Sequence, residues 1–226
     1  MAVTGSLVQR ARREHGWTQA ALARRLRVSQ GYVSLMEADE RAVPEHLARR
    51  LVKLFEMGAG VLPHQNPEQG LNADASMSAL GALGHPGFAY LAGRTALNPA
   101  ELLLRTLRSP GLEARVLEAL VWVVQRHASL DWDWLLPRVK QHDVQNRLGF
   151  VVSLARGQAE RAGDPATAAH LRAQETRLEP SVLRREDDLG CALTPSERRW
   201  LLEQRPPEAA RWNVLSNLTP EALADA

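Results

Sequence analysis

The sequence predicts an all-α protein: an N-terminal domain of four or five helices, a linker, and a larger C-terminal helical domain. Apolar residues recur at three- and four-residue spacing over most of the 226 residues. Alternating apolar and polar runs are scarce, and no Asn-Gly or Asp-Gly turn joins two of them. Several helix starts combine a capping side chain with proline at the first helical position, which supplies an acceptor for orphan N–H groups and removes one of the donors. Asn98-Pro99, Asp164-Pro165, Thr194-Pro195 and Thr219-Pro220 all have this form. The first and third also place a glutamate, Glu101 or Glu197, three residues after the cap, the pattern of a capping box.

Four helices are expected in the first 56 residues. Leu7, Val8 and Ala11 form the apolar stripe of the first. Thr18 caps a second whose inward face is Leu22, Ala23 and Leu26, and Ser29 caps a third. In the third, Val33 and Met36 lie three apart and point inward, which turns Gln30, Gly31, Ser34 and Leu35 outward. Pro44 opens a fourth helix buried through Leu47, Leu51, Leu54 and Phe55. Two helices of about eight residues joined by a tight turn at Arg27-Val28 make the arrangement that lays its second helix in the DNA major groove, where short polar residues reach base edges.

The run Thr18-Gln19-Ala20-Ala21-Leu22-Ala23, with Val28-Ser29-Gln30 and Val33-Ser34-Leu35-Met36-Glu37 at fixed spacing after it, resembles the Cro and phage-repressor (Xre) helix-turn-helix family. The resemblance covers about a quarter of the chain. It implies that Gln19 meets a phosphate and that Gln30 reads a base, adenine being the partner its two-sided amide suits; Thr18 beside Gln19 is a further DNA-contact candidate. It implies a structural pair, Arg12 with Glu37, tying the first helix to the end of the third. Tyr32 and Ser34 are candidates for sugar or phosphate contact and exposed Leu35 for a thymine methyl, with Ser29, Gly31 and Arg41 as further DNA-contact candidates. The chain departs from the family at two positions where glycine is usual: Arg27, and the stretch Ala38-Asp39-Glu40. Asp39 and Glu40 put negative charge near the expected phosphate path, leaving Arg41 as the attractive charge of that loop.

The domain is expected over residues 1–57. From 58 to 76 the helical period lapses and Gly58, Gly60, Pro63, Pro67 and Gly70 gather, the composition of a linker. The C-terminal domain, 77–226, is expected to hold helices near 77–83, 87–93, 99–108, 112–128, 131–140, 143–161, 165–177, 195–203, 207–213 and 220–225. Its five tryptophans read mostly as core. Trp132 and Trp134, two apart on one helix, should face different surroundings, so one of them is a candidate for an interface.

Residues 1–56 carry ten Arg or Lys against six Asp or Glu, while the remainder carries eighteen against twenty, so the positive excess lies in front. Cys191, the single cysteine, rules out an intramolecular disulfide and a cysteine-based zinc site within one chain. Neither a signal-type start nor a membrane-length apolar run appears, which places the protein in the cytoplasm. His142-Asp143 with Asn146-Arg147 is the one polar cluster that suggests an active site, and it reads better as a helix entrance, because no nucleophile or second carboxylate recurs at a suitable spacing. The sequence therefore predicts no catalytic residue, metal or cofactor. It predicts a regulator, a repressor in sense, that binds operator duplex as a homodimer. The alternative is an antitoxin-like protein whose C-terminal domain holds a protein partner while the N-terminal domain represses its own operon.

Overall fold

The computed structural model describes residues 3–64, 70–93, 96–127 and 130–223. The chain divides into two compact units, Met1–Gln65 and Asn66–Ala226. Twelve α-helices form among the described residues, and the only extended pairing there is an isolated bridge between Asp187 and Val214. The fold is all-α.

The first unit contains α1 (Gly5–Glu14), α2 (Gln19–Leu26), α3 (Gln30–Glu37) and α4 (Glu45–Leu54), followed by a 3-10 turn at Ala59–Val61. Hydroxyl side chains open the first three: Thr4, Thr18 and Ser29 accept from the N–H groups of Leu7, Ala21 and Tyr32. Such caps are each worth about 1 kcal/mol. Val8, Leu22, Leu26, Val33, Met36, Leu47 and Leu51 are buried in one core, with Phe55 at its edge. Leu7 and Leu54 are only partly buried.

The second unit holds α5 (Ala73–Ala82), a 3-10 segment at Pro86–Leu91, α6 (Pro99–Leu107), α7 (Ala114–Arg126), α8 (Trp132–Gln141), α9 (Gln145–Arg161), α10 (Pro165–Leu178), α11 (Pro195–Gln204) and α12 (Pro207–Arg211). Helix α9 is its axis, packing against α6, α7, α8, α10 and α12. Leu148, Phe150, Val151, Val152 and Leu154 are fully buried, so this helix is apolar nearly all round, as a helix enclosed by others must be. Gly149 is the notch for Trp212: a Cβ there would lie 2.2 Å from the indole. The indole N–H donates to Ser153 Oγ at 2.6 Å, satisfying the one polar atom that this ring carries into the core.

Several boundaries differ from expectation. Reading 58–76 as linker is too broad: Leu62 is buried, Leu71 joins the second core, and Asn72 caps α5 by accepting from Ala75 N–H, which starts that helix at Ala73. The helix expected at 87–93 is the tighter 3-10 segment. The one expected at 220–225 is replaced by turns through Pro220–Leu223, and 224–226 lie outside the described residues. The Thr194–Glu197 capping box forms as expected. At Asn98 the side chain accepts from Ala100 N–H, while the buried Glu101 carboxylate pairs with Arg105. Trp132 and Trp134 contact the same core after all, Trp132 from within and Trp134 from its rim, half-buried beneath the Arg138 guanidinium. An indole is long enough to reach a core's rim from the flank of its helix.

Candidate nucleic-acid interface

The third helix is fixed from behind and open in front. Val33 and Met36 are fully buried, while Gln30, Gly31, Ser34 and Leu35 are exposed. Leu35 retains 41% of its surface, an exposure that the core does not require and that leaves a branched apolar group beside polar ones. Tyr32 is half-buried, and the Arg41 guanidinium stacks 4.4 Å from its ring centroid, holding that cation at the flank of α3.

The far end of α3 is clamped to α1. Arg12 Nε and Nη2 donate to the two carboxylate oxygens of Glu37 at 2.6 and 2.8 Å, and Arg12 Nη1 donates to Trp17 O at 2.7 Å. This fork-on-fork pair is nearly dry, with side-chain exposures of 10% and 1%. Burial opposes the charge on Glu37, but the hydrogen bonds from Arg12 and then Gln19 outweigh it, and the carboxyl pKa lies below its ordinary value. The bond to Glu37 in turn raises Arg12 against the cost of burial. Gln19, placed by the resemblance at a phosphate, is half-buried and donates to Glu37 Oε2 at 3.0 Å. Its amide nitrogen therefore braces the clamp that orients α3. Thr18 and Ser29 are exposed, with their hydroxyls accepting as caps.

Both departures from glycine are held by contacts that the sequence did not reveal. Arg27 takes the left-handed conformation, φ 57 and ψ 48, at the C-terminus of α2. Beside it Arg50 reaches across from α4 and donates to Leu26 O at 2.7 Å and Arg25 O at 2.8 Å, satisfying carbonyls that a helix end leaves orphaned. Asp39 also has positive φ, and its Oδ1 accepts from Gly5 N–H at 2.7 Å, at the start of α1. Carboxylates favour that end of a helix. Gly5 itself is required by close approach, since a Cβ there would lie 1.8 Å from Met36 O.

Residues 8–60 match the helix-turn-helix family. The N-terminal unit is a Cro/C1-type helix-turn-helix domain. No curated protein and no solved structure matches the chain. No family match covers the second unit. In this domain α2 and α3 are the two helices of the motif and Arg27 is its turn; a domain of this kind implies DNA as the partner.

Of the polar residues singled out in the second unit, Asn146 and Arg147 bond to backbone, as does their neighbour Gln145. Gln145 donates to Ser181 O, Asn146 both donates to Leu183 O and accepts from Leu183 N–H, and Arg147 donates to Asp187 and to the carbonyls of Leu107 and Ser109. Three successive residues at the start of α9 thus pin the segment that runs from the end of the 3-10 turn Glu179–Ser181 to Asp187. His142, Asp143 and Arg147 line a polar cleft of about 570 Å³ with Arg185 and Asp188. Cys191 is half-buried, and burial followed by Asp188 pushes its thiol pKa up, away from thiolate reactivity. Among the described residues no cluster of metal-ligating side chains forms, and no helix is long and apolar enough to cross a membrane.

Proposed function

We propose that this protein is a sequence-specific, double-stranded-DNA-binding transcriptional regulator, acting as a repressor and as a homodimer in the cytoplasm, with no catalytic activity of its own. The observation that carries the reading is the outward face of α3: Gln30, Gly31, Ser34 and Leu35 exposed together, anchored by buried Val33 and Met36. Gln30 offers a donor and an acceptor to one base edge, and Leu35 an apolar contact to a thymine methyl. Thr18, Ser29, Tyr32 and Arg41 flank this face and suit sugar and phosphate. A domain this small covers few base pairs, which favours two copies on half-sites ~34 Å apart.

Selection from random duplex DNA at two salt concentrations tests the reading. The expected outcome is an enriched two-fold symmetric site whose affinity falls steeply as salt rises. An unenriched pool at both concentrations overturns it.

A second reading, an antitoxin-like protein whose second unit holds a protein partner, is favoured by aromatic side chains left bare there: Tyr90 keeps 72% of its surface and Trp200 52%. Co-purification of the product of an adjacent small gene, lost in Trp200→Ala, is the result that would prefer it.

A further inference from the structure

In the second unit, a pocket of about 280 Å³ lies between the start of the 3-10 segment and the facing sides of α7 and α9. Its size falls just below the roughly 300–1,000 Å³ of small-molecule sites. Glu118, Trp122 and Gln125 project into it from one face of α7, three and four residues apart, Gln158 faces them from α9, and Leu223 closes one side. One wall is aromatic: His85 meets Trp122 edge-on, with ring centroids 5.0 Å apart.

Part of the polar lining of this pocket is unspent. Glu118 and Gln158 have no side-chain partner among the described residues. Gln125 donates to Ala155 O at 3.2 Å, which leaves its amide oxygen over. His85 Nδ1 accepts from Gly87 N–H, so the imidazole proton sits on Nε2 as a donor. Burial, then Arg115, depresses the His85 pKa, which keeps that ring neutral. The lining also holds the Arg115 guanidinium, which donates to Gly87 O at 2.8 Å and lies over the Phe88 ring. An aromatic wall with a carboxylate, two carboxamides and one neutral N–H donor matches a planar molecule with both N–H and acceptor groups on its edge. A neighbouring trough of about 440 Å³ shares Gln125, Gln158 and Leu223, giving room for a substituent on such a ring.

We propose that this pocket binds a free nucleobase or nucleoside, the ring lying against Trp122 and its N–H edge meeting Glu118 and the two glutamines. The proposal deepens the regulator reading, for which it supplies the effector class, and so rests on that reading for its meaning though not for its chemistry.

Titration calorimetry of the full chain with guanosine, adenosine, cytidine and uridine, and with ribose as control, tests it. At least one nucleoside is expected to bind with one-to-one stoichiometry, and Glu118→Gln and Gln158→Ala should each weaken it tenfold or more while leaving the circular dichroism unchanged. If Glu118→Gln fails to fold, Gln158→Ala together with loss of nucleoside-induced fluorescence quenching in Trp122→Phe decides the matter. No binding by any nucleoside at millimolar concentration, equal binding by ribose, or affinity untouched by these substitutions overturns the site. A tetranucleotide that binds more tightly than its nucleosides overturns the free-ligand assignment. Because none of these measurements contains duplex DNA, their failure is separate from failure of the regulator reading. Nucleoside binding that leaves operator affinity unchanged would remove the sensing role and keep the site.

Discussion

The two units hold their polar groups for different purposes. In the first, the buried charge of Arg12 and Glu37 is spent on the angle between α1 and α3, and the polar face of α3 is left bare. In the second, Gln145, Asn146 and Arg147 are spent on pinning a loop, and the unspent Glu118 and Gln158 side chains line a pocket. Polar residues that the fold has used can be separated from those it has left over, and the leftovers point to a surface that reads a large partner in one unit and a chamber that takes a small one in the other.

The largest effects should come from breaking what each unit has already spent. Arg12→Met leaves the Glu37 carboxylate buried without its counter-charge, which costs about 3–5 kcal/mol and should unfold the first unit first. Trp212→Ala empties a fully buried site in the second unit at a similar cost, about 3–5 kcal/mol. Site-resolved hydrogen exchange on the two variants checks the comparison: each should expose amides in its own unit, and loss of protection in both at once would contradict independent cores.

A pH titration sharpens the same contrast. The pKa of Glu37 is lowered by folding, so its contribution is complete above the ordinary glutamate value and is lost as pH falls through the depressed one. Thermal unfolding followed from pH 7 into the acid range should show the first unit weakening there, and Glu37→Gln should be less stable at neutral pH and flatter with acid. An equal acid slope in the variant would assign the loss to other carboxylates.

Smaller effects belong to the helix ends. Ser29→Ala removes the cap of α3 and should cost about 1 kcal/mol. Arg27→Gly relieves a left-handed non-glycine residue whose conformation costs about 1–2 kcal/mol. It should stabilise the unit by a few tenths to about 1 kcal/mol in chemical denaturation, the gain reduced by the chain entropy that glycine adds.

The first unit was legible because its signals are local. Ser29, Val33 and Met36 fix cap and buried face within eight residues, and the structure keeps that division. Arg50 on the Arg25 and Leu26 carbonyls, Asp39 on Gly5 N–H and the brace from Gln19 to Glu37 were not legible, since each joins residues 18 to 34 positions apart and leaves no periodic trace. The second unit shows the same limit more widely. Its helices from α6 to α10 announce themselves by apolar spacing, with caps at Asn98 and Asp164 for the first and last, yet the pairing of Gly149 with Trp212 spans 63 positions. The pocket at Trp122 draws on the 3-10 segment, α7, α9 and Leu223 at once, so no single window of sequence contains it.

The most direct test of the account compares binding of wild-type protein and Gln30→Ala to the selected duplex and to a scrambled one at a single salt concentration. The account predicts a loss of about tenfold or more on the selected duplex, in line with ~1–3 kcal/mol for a bidentate base contact, and little change on the scrambled one. Equal affinities of both proteins for both duplexes would contradict it.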